Sequence, residues 1–387
     1  SCFTIRSRNC LYLNKRVFLQ FISHGGFMVL FPFAGSLSEQ DDGSKRQKSR
    51  SRRRRNSTKK NTVEINHGGD DEAIQRALSR FSVEPAPMGF SQDIDPPARV
   101  VNIKWKLNAV KKSVQIKASP LVCSPGEFGF LPEEKVQQIA KKIEKLEITL
   151  EQSLSLRSAL NQEKSVYSHG RLMNRANELR RRYDNGESVL SLSTRFDAPP
   201  VNVFRAILTG RGWSKNKIKE TLKSPSKMNQ RDRDQFQLAE SADRVSSVNQ
   251  SETQNAAEVF EDILCDYFSS LNIRFRRQED LLDEQKKSEG RAIITPDLLL
   301  LDDVRINGIP CAWIDAKHFF GADLRFPRKK TQKQVDRYVN EYGQGAIVYR
   351  HGFCDTLKLK GAILLDSSPL DLEPLATFHE SIREKSA

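Results

Sequence analysis

Residues 293–317 read IITPDLLLLDDVRINGIPCAWIDAK. Two apolar runs stand in this stretch, Ile293 to Leu301 and Ile309 to Ala316. Each is short and rich in branched or aromatic residues, so both read as buried strands. Asp297 follows Pro296 near the start of the first, and Asp315 and Lys317 sit at the end of the second. Strand side chains alternate, so Asp315 and Lys317 share one face and Ala316 takes the other. Pairing of the two strands brings Asp297 to them. Carboxylates confined together repel one another, and a divalent cation relieves this. Carboxylates with carbonyl and water ligands suit Mg²⁺, with Mn²⁺ as the alternative. The lysine then supplies positive charge for a scissile phosphate or orients an attacking water.

The surrounding segments supply the rest of an α/β domain. Val259, Phe260, Ile263, Leu264, Tyr267 and Phe268 recur at helical spacing in about Asn255–Ser270. A strand is expected at Ile273 to Phe275 and a polar helix at about Lys330 to Tyr342, ended by Gly343. Strands follow at Ala346 to Tyr349 and Ala362 to Leu365, then a closing helix near Leu372–Glu384. This order predicts a mixed sheet flanked by helices over residues 255–387. Trp313 reads as sheet packing, His318 as a solvent-facing loop residue, and His351 carries no assignment.

Pro296-Asp297, seventeen residues, then Asp315-Ala316-Lys317 resembles the PD-(D/E)xK nuclease signature. The strings ITPDLLL, WIDAKHFFG and KQVDRYVNEYGQGAIVYRHGF resemble its TPD-motif branch. The likeness is closest over residues 255–366 and runs back more weakly to about residue 165. It implies a restriction-endonuclease-like C-terminal domain and Mg²⁺-dependent phosphodiester hydrolysis of nucleic acid, DNA rather than RNA. On this resemblance Asp297 and Asp315 hold the metal, the Ala316 carbonyl completes the shell, and Lys317 is the catalytic lysine. Glu261 matches the acid of the first helix, with Glu258 one turn earlier as its rival. Gln334 matches a glutamine that faces the site. Asp315 stands where Glu is commoner, one methylene shorter. The branch is typified by a nuclease that interacts with codanin, so a codanin-like protein is an implied partner. A binding scaffold without catalysis is the competing reading, and a homodimer that cuts both strands the implied oligomer.

Upstream, residues 131–229 read as helical. Val136, Ile139, Ile143, Leu146 and Leu150 are helically spaced, and a second helix is expected from Ser168 to Tyr183. Within residues 186–225, two short helices flank the break Asp197-Ala198-Pro199-Pro200, the outline of a helix-turn-helix. Arg211, Lys215, Lys217 and Lys219 follow, and with Lys329 and Lys330 they are the candidate nucleic-acid contacts. A helical unit with a merely solvated basic face is the plainer reading. Residues 230–254 read as a linker or partly helical connector.

Charge is unevenly placed along the 387 residues, whose formal net value is +14. Residues 1–60 hold 14 basic and 3 acidic residues, whereas residues 251–387 hold 19 and 23, so the expected site lies in an acidic block. Residues 1–130 are expected to be a mostly disordered extension, mostly linker over 62–130, where Ala98 to Val114 reads as able to carry a strand or two. Its basic run, 44–60, cannot build a core and reads as a nuclear-import signal. Residues 1–38 lack an acid and resemble an organelle-targeting peptide; a start at Met28 is the competing reading. The nucleus, with the cytoplasm second, is the expected location. No window reaches the ~18 apolar residues of a membrane helix, so no membrane is expected. Six scattered cysteines without a CxxC pair make neither a zinc pattern nor a disulfide framework.

Overall fold

Asn307 and Gly308, at φ 51° and 84°, make the tight turn that folds the central hairpin. Both central residues of such a turn need positive φ, which Asn-Gly supplies at low steric cost. The turn pairs β3 (Leu298–Ile306) with β4 (Ile309–Lys317) antiparallel.

The computed structural model describes residues 71–80, 99–245, 251–291 and 293–386. The basic run 44–60 and the segment 1–38 lie outside the described residues. Chain order before the hairpin is α1 (Asp71–Ser79), β1 (Val100–Ile103), α2 (Lys112–Val122), α3 (Glu133–Ile143) and α4 (Leu150–Asn174). Next come α5 (Ala176–Asp184), α6 (Val189–Phe196), α7 (Pro200–Gly210), α8 (Lys215–Lys223) and α9 (Gln230–Ser241). Then α10 (Ser251–Ser270), β2 (Phe275–Arg277) and α11 (Gln278–Glu289) lead into β3. After β4 come α12 (Arg325–Tyr342), β5 (Gly345–Tyr349), β6 (Ala362–Asp366) and α13 (Glu373–Ser386).

The sheet runs β1-β3-β4-β5-β6, with β4, β5 and β6 mutually parallel. β3 shares its outer edge between two strands. β2 runs antiparallel against Leu298–Leu300, and β1 runs parallel against Asp303–Ile306. Asp302 stitches the junction. Its carboxylate accepts from the backbone N–H of Arg99 at 3.1 Å and of Arg274 at 3.0 Å, and pairs with the Arg274 guanidinium at 2.7 Å.

Alternation sends each strand's side chains to two cores. Leu299, Trp313, Ile347 and Leu364 face one, with Ala118, Ile139, Leu156 and Val335 of the covering helices. Leu298, Ile314, Val348 and Leu365 face the other, against Phe260, Leu264 and Leu375. Trp313 is fully buried and donates its indole N–H to the Gly343 carbonyl at 2.9 Å. Its ring occupies the space a Cβ on Gly345 would need. A third core, with Leu179, Tyr183, Phe204 and Phe236, holds the helical unit together. Asp197, left-handed at φ 46°, ends α6, and Pro200 begins α7.

The mixed sheet flanked by helices is the expected α/β arrangement. Within residues 99–130, β1 falls in the stretch Ala98–Val114, where a strand is expected, and α2 is the difference from the expected linker. The helix forms because Val114, Ala118 and Val122 bury against the sheet's first face. The helix expected from Ser168 is the end of α4, which breaks at Arg175. α4 runs 25 residues from a Thr149–Gln152 capping box, with Leu156 in the first core and Leu172 in the helical one. Residues 230–241 of the connector form α9, which packs Phe236 into the third core. Among the described residues no helix is long and apolar enough to cross a membrane.

Candidate active site

Three carboxylates and an ammonium meet at one end of the central hairpin. Asp315 and Lys317 leave β4 on the Trp313 face, as alternation requires, and Asp297 precedes β3. Asp297 is 7% exposed and Asp315 2%. Asp297 Oδ2 accepts from the Ala316 backbone N–H at 2.6 Å, and its Oδ1 from Gln278 Nε2 at 3.4 Å. That backbone bond fixes the acid across the two strands.

Asp315 is held from α12. Its Oδ1 accepts from Gln334 Nε2 at 3.1 Å, and the Tyr338 hydroxyl lies 3.4 Å away. Gln334 and Tyr338 are one helical turn apart and bond each other at 2.9 Å. Asp315 Oδ2 is buried and forms an ion pair with Lys317.

Electrostatics bind the four groups into one site. Burial, then Asp315 and Glu261, pushes Asp297 well above the usual carboxylate range. Glu261, on α10, rises to about 7, first through burial and then through Asp315. Glu258 is exposed, whereas Glu261 is partly buried and electrostatically coupled to Asp315 and Lys317. Burial opposes the Lys317 charge, but Asp315 and Asp297 outweigh it and raise its pKa. Lys330 senses the site too, its pKa lowered by burial and by the Lys317 charge.

The donor set fits a divalent cation in charge. Burial first, and then their mutual repulsion, raises the pKa of Asp297 and Glu261, and one buried oxygen of Asp315 has the Lys317 ammonium as partner. Among the described residues no group of three or more His, Cys, Asp or Glu is already spaced as a metal cage.

Other expected residues separate. Lys215, Lys217 and Lys219 are exposed on α8, with Lys217 4.2 Å from the Trp213 ring centre. Arg211 belongs elsewhere. It pairs with Asp232 at 2.7 Å and Asp184 at 2.9 Å, so it braces α5 against α9 instead of waiting for phosphate. Lys329 is exposed and lines an open surface pocket with Arg325, Arg328, Lys333 and Lys358.

His318 also corrects its expectation. It turns inward, 6.1 Å between ring centres from Phe260, with its Nε2 buried. Burial first, then the charge of Arg350, drives its pKa down to about 3. Sequence reading missed Tyr338 and Gln278. The i, i+4 spacing from Gln334 was the available signal for Tyr338; Gln278 lies on a helix that was not anticipated.

Residues 228–368 match the family described as "Protein of unknown function TPD sequence-motif". The chain is 28% identical over 120 residues to an uncharacterized protein of Acanthamoeba polyphaga mimivirus, covering 30% of this chain and 42% of that relative. It is 30% identical over 118 residues to CDAN1-interacting nuclease 1 of Danio rerio, covering 30% of this chain and 37% of the relative. The Gallus gallus protein of the same name is 33% identical over 84 residues, 21% of this chain and 30% of the relative. The chain thus aligns with less than half the length of each. No solved structure matches.

Proposed function

We propose, from the match of residues 228–368 to the TPD-motif family, that this chain is a metal-dependent nuclease that hydrolyses phosphodiester bonds in nucleic acid, DNA above RNA. The observation that carries the reading is the buried Asp297–Asp315–Lys317 constellation with Glu261 beside it. A structural role alone gives little reason to bury three mutually repelling acids together.

Asp297, Asp315 and Glu261 would hold Mg²⁺, whose chemistry is to polarise a phosphoryl oxygen and acidify a bound water. The chain's own residues do the rest. The Ala316 N–H and Gln278 orient Asp297, while Gln334 and Tyr338 orient Asp315. Lys317 gives positive charge to the phosphoryl group in the transition state. The α12 groove of Arg325, Lys329 and Lys333 and the lysines of α8 supply phosphate contacts.

The test is cleavage of labelled single-stranded, duplex and branched DNA and RNA with Mg²⁺ or with chelator. Wild type should cut only with metal, and Asp315→Ala should not cut. Equal activity in both proteins overturns the reading. Two of the relatives are named for an interaction with CDAN1, so a codanin-like protein is a second proposed partner, tested by copurification of the folded Asp315→Ala chain.

A further inference from the structure

One residue beyond the carboxylate site lies a second cluster of a different character. His318 and Arg350 directly follow Lys317 and Tyr349, which are paired at the carboxyl ends of the parallel strands β4 and β5. The Arg350 backbone N–H bonds the Lys317 carbonyl at 2.9 Å. Phe260, against His318, precedes Glu261. Two adjacent pairs, Phe260/Glu261 and Lys317/His318, therefore each place one member in the site and one in the cluster. Ligands of open α/β sheets bind in this crevice beyond the strand ends.

Three imidazoles meet there. The His318 ring centre is 6.0 Å from that of His351 and 6.4 Å from that of His379 on α13. Arg350 Nη1 is 3.1 Å from His351 Nε2. Glu151, at the start of α4, faces the other nitrogen of His351 at 3.6 Å and is itself 70% exposed. Two buried nitrogens, His318 Nε2 and the donor Arg350 Nε, meet no hydrogen-bond partner among the described residues. Buried polar groups are nearly always satisfied, so two together at a strand-end crevice point to a ligand. A guanidinium with imidazoles matches a phosphoryl group. A metal fits worse, because His351 Nε2 already faces the Arg350 cation and no metal-spaced group stands among the described residues.

We propose that His318, Arg350 and His379, with His351, bind a phosphoryl group of the substrate strand next to the scissile one. The inference rests on the nuclease reading for the identity of that strand. The phosphoryl group has two sources, the next phosphodiester or a terminal monophosphate, and the experiment separates them.

Imidazole signals of the full chain are followed by NMR while inorganic phosphate is added at constant ionic strength. Saturable shifts should appear at His318, His351 and His379 and not at His169 of α4. Absence of saturation, or equal shifts at all four, overturns the pocket, as does stoichiometric Zn²⁺ binding at the same three rings. Affinity for oligonucleotides is then measured by anisotropy with His379→Ala, His379→Gln and Arg350→Gln, each checked by circular dichroism. Removing one charge-assisted hydrogen bond should weaken binding about tenfold. Weakening confined to 5′- or 3′-phosphorylated strands identifies the terminal source; equal weakening on unphosphorylated strands identifies the diester. Unchanged affinity in every folded variant overturns the proposal. Asp315→Ala should leave the phosphate titration intact. Phosphate binding without cleavage sinks the nuclease reading alone, and cleavage without phosphate binding sinks the pocket alone.

Discussion

The Tyr338 hydroxyl lies 3.4 Å from Asp315 Oδ1 and 3.2 Å from the Thr295 carbonyl, joining α12 to both acid-bearing segments of the sheet. Tyr338→Phe removes one hydroxyl from a buried network. Stability should fall by about 1 kcal/mol in denaturant unfolding. Cleavage should slow far less than in Lys317→Ala, where removal of transition-state charge stabilisation costs about 10²–10³-fold. A Tyr338→Phe protein as slow as Lys317→Ala would show the hydroxyl acting on the reacting groups directly.

Glu261 and Glu258 should part company. Glu261→Gln should abolish most cleavage, and Glu258→Gln should leave it near wild type, because Glu261 is coupled to Asp315 and Lys317 whereas the Glu258 side chain is exposed. The same acid carries a stability signature. Its pKa rises from 4.5 to about 7 on folding, so between those values the folded chain binds more protons than the unfolded one. Stability contributed by this proton is full below pH 4.5 and is lost as pH rises through about 7. Asp297 acts in the same direction. Thermal unfolding across this window should show a decline that Glu261→Gln flattens. An unchanged slope in the variant would remove Glu261 from the coupled set.

Asp302 has the opposite sign. Burial would raise its pKa, but the Arg274 side chain and the two backbone donors win and hold it at about 2. The stability it contributes is present above 3.8 and is lost as pH falls through about 2. Asp302→Asn should weaken the chain at neutral pH and remove this acid-side transition. Hydrogen exchange should localise the weakening to β1 and β2, which the carboxylate joins.

The two kinds of basic residue on the helical unit should also separate. Replacing Lys215, Lys217 and Lys219 by Gln should weaken nucleic-acid binding and lower the salt slope by about 0.9 for each phosphate no longer neutralised, with no change in melting. Arg211→Ala should instead lower the melting temperature, because it leaves the 4%-exposed Asp232 without its guanidinium. Equal affinities in wild type and the triple variant would exclude α8 from docking.

The strands around Asp297 and Asp315 were legible because an apolar run and a charged end mark a buried strand in any context. Gln334 and Lys317 were legible through the family strings. Three parts were not. α2 has Pro120 inside it and forms because Val114, Ala118 and Val122 bury against the sheet, whereas β1 falls within Ala98–Val114, where a strand was expected. The inward turn of His318 depends on partners from β5 and α13, far away in the chain. Arg211 looks like any exposed arginine until α5 and α9 bring Asp184 and Asp232 beside it.

What is inherited as a motif and what folds as a body have different borders here. The family match covers residues 228–368, but Trp313 and Ile347 share their core with Ala118, Ile139 and Leu156. The opposite sheet face is closed by Leu375 of α13, and β1 completes the edge beside β2. A fragment trimmed to the motif would keep α10 and α12 but would uncover part of each apolar sheet face. The segment that carries the motif therefore does not close its own sheet: it depends on flanking chain, before and after it, to keep those faces dry.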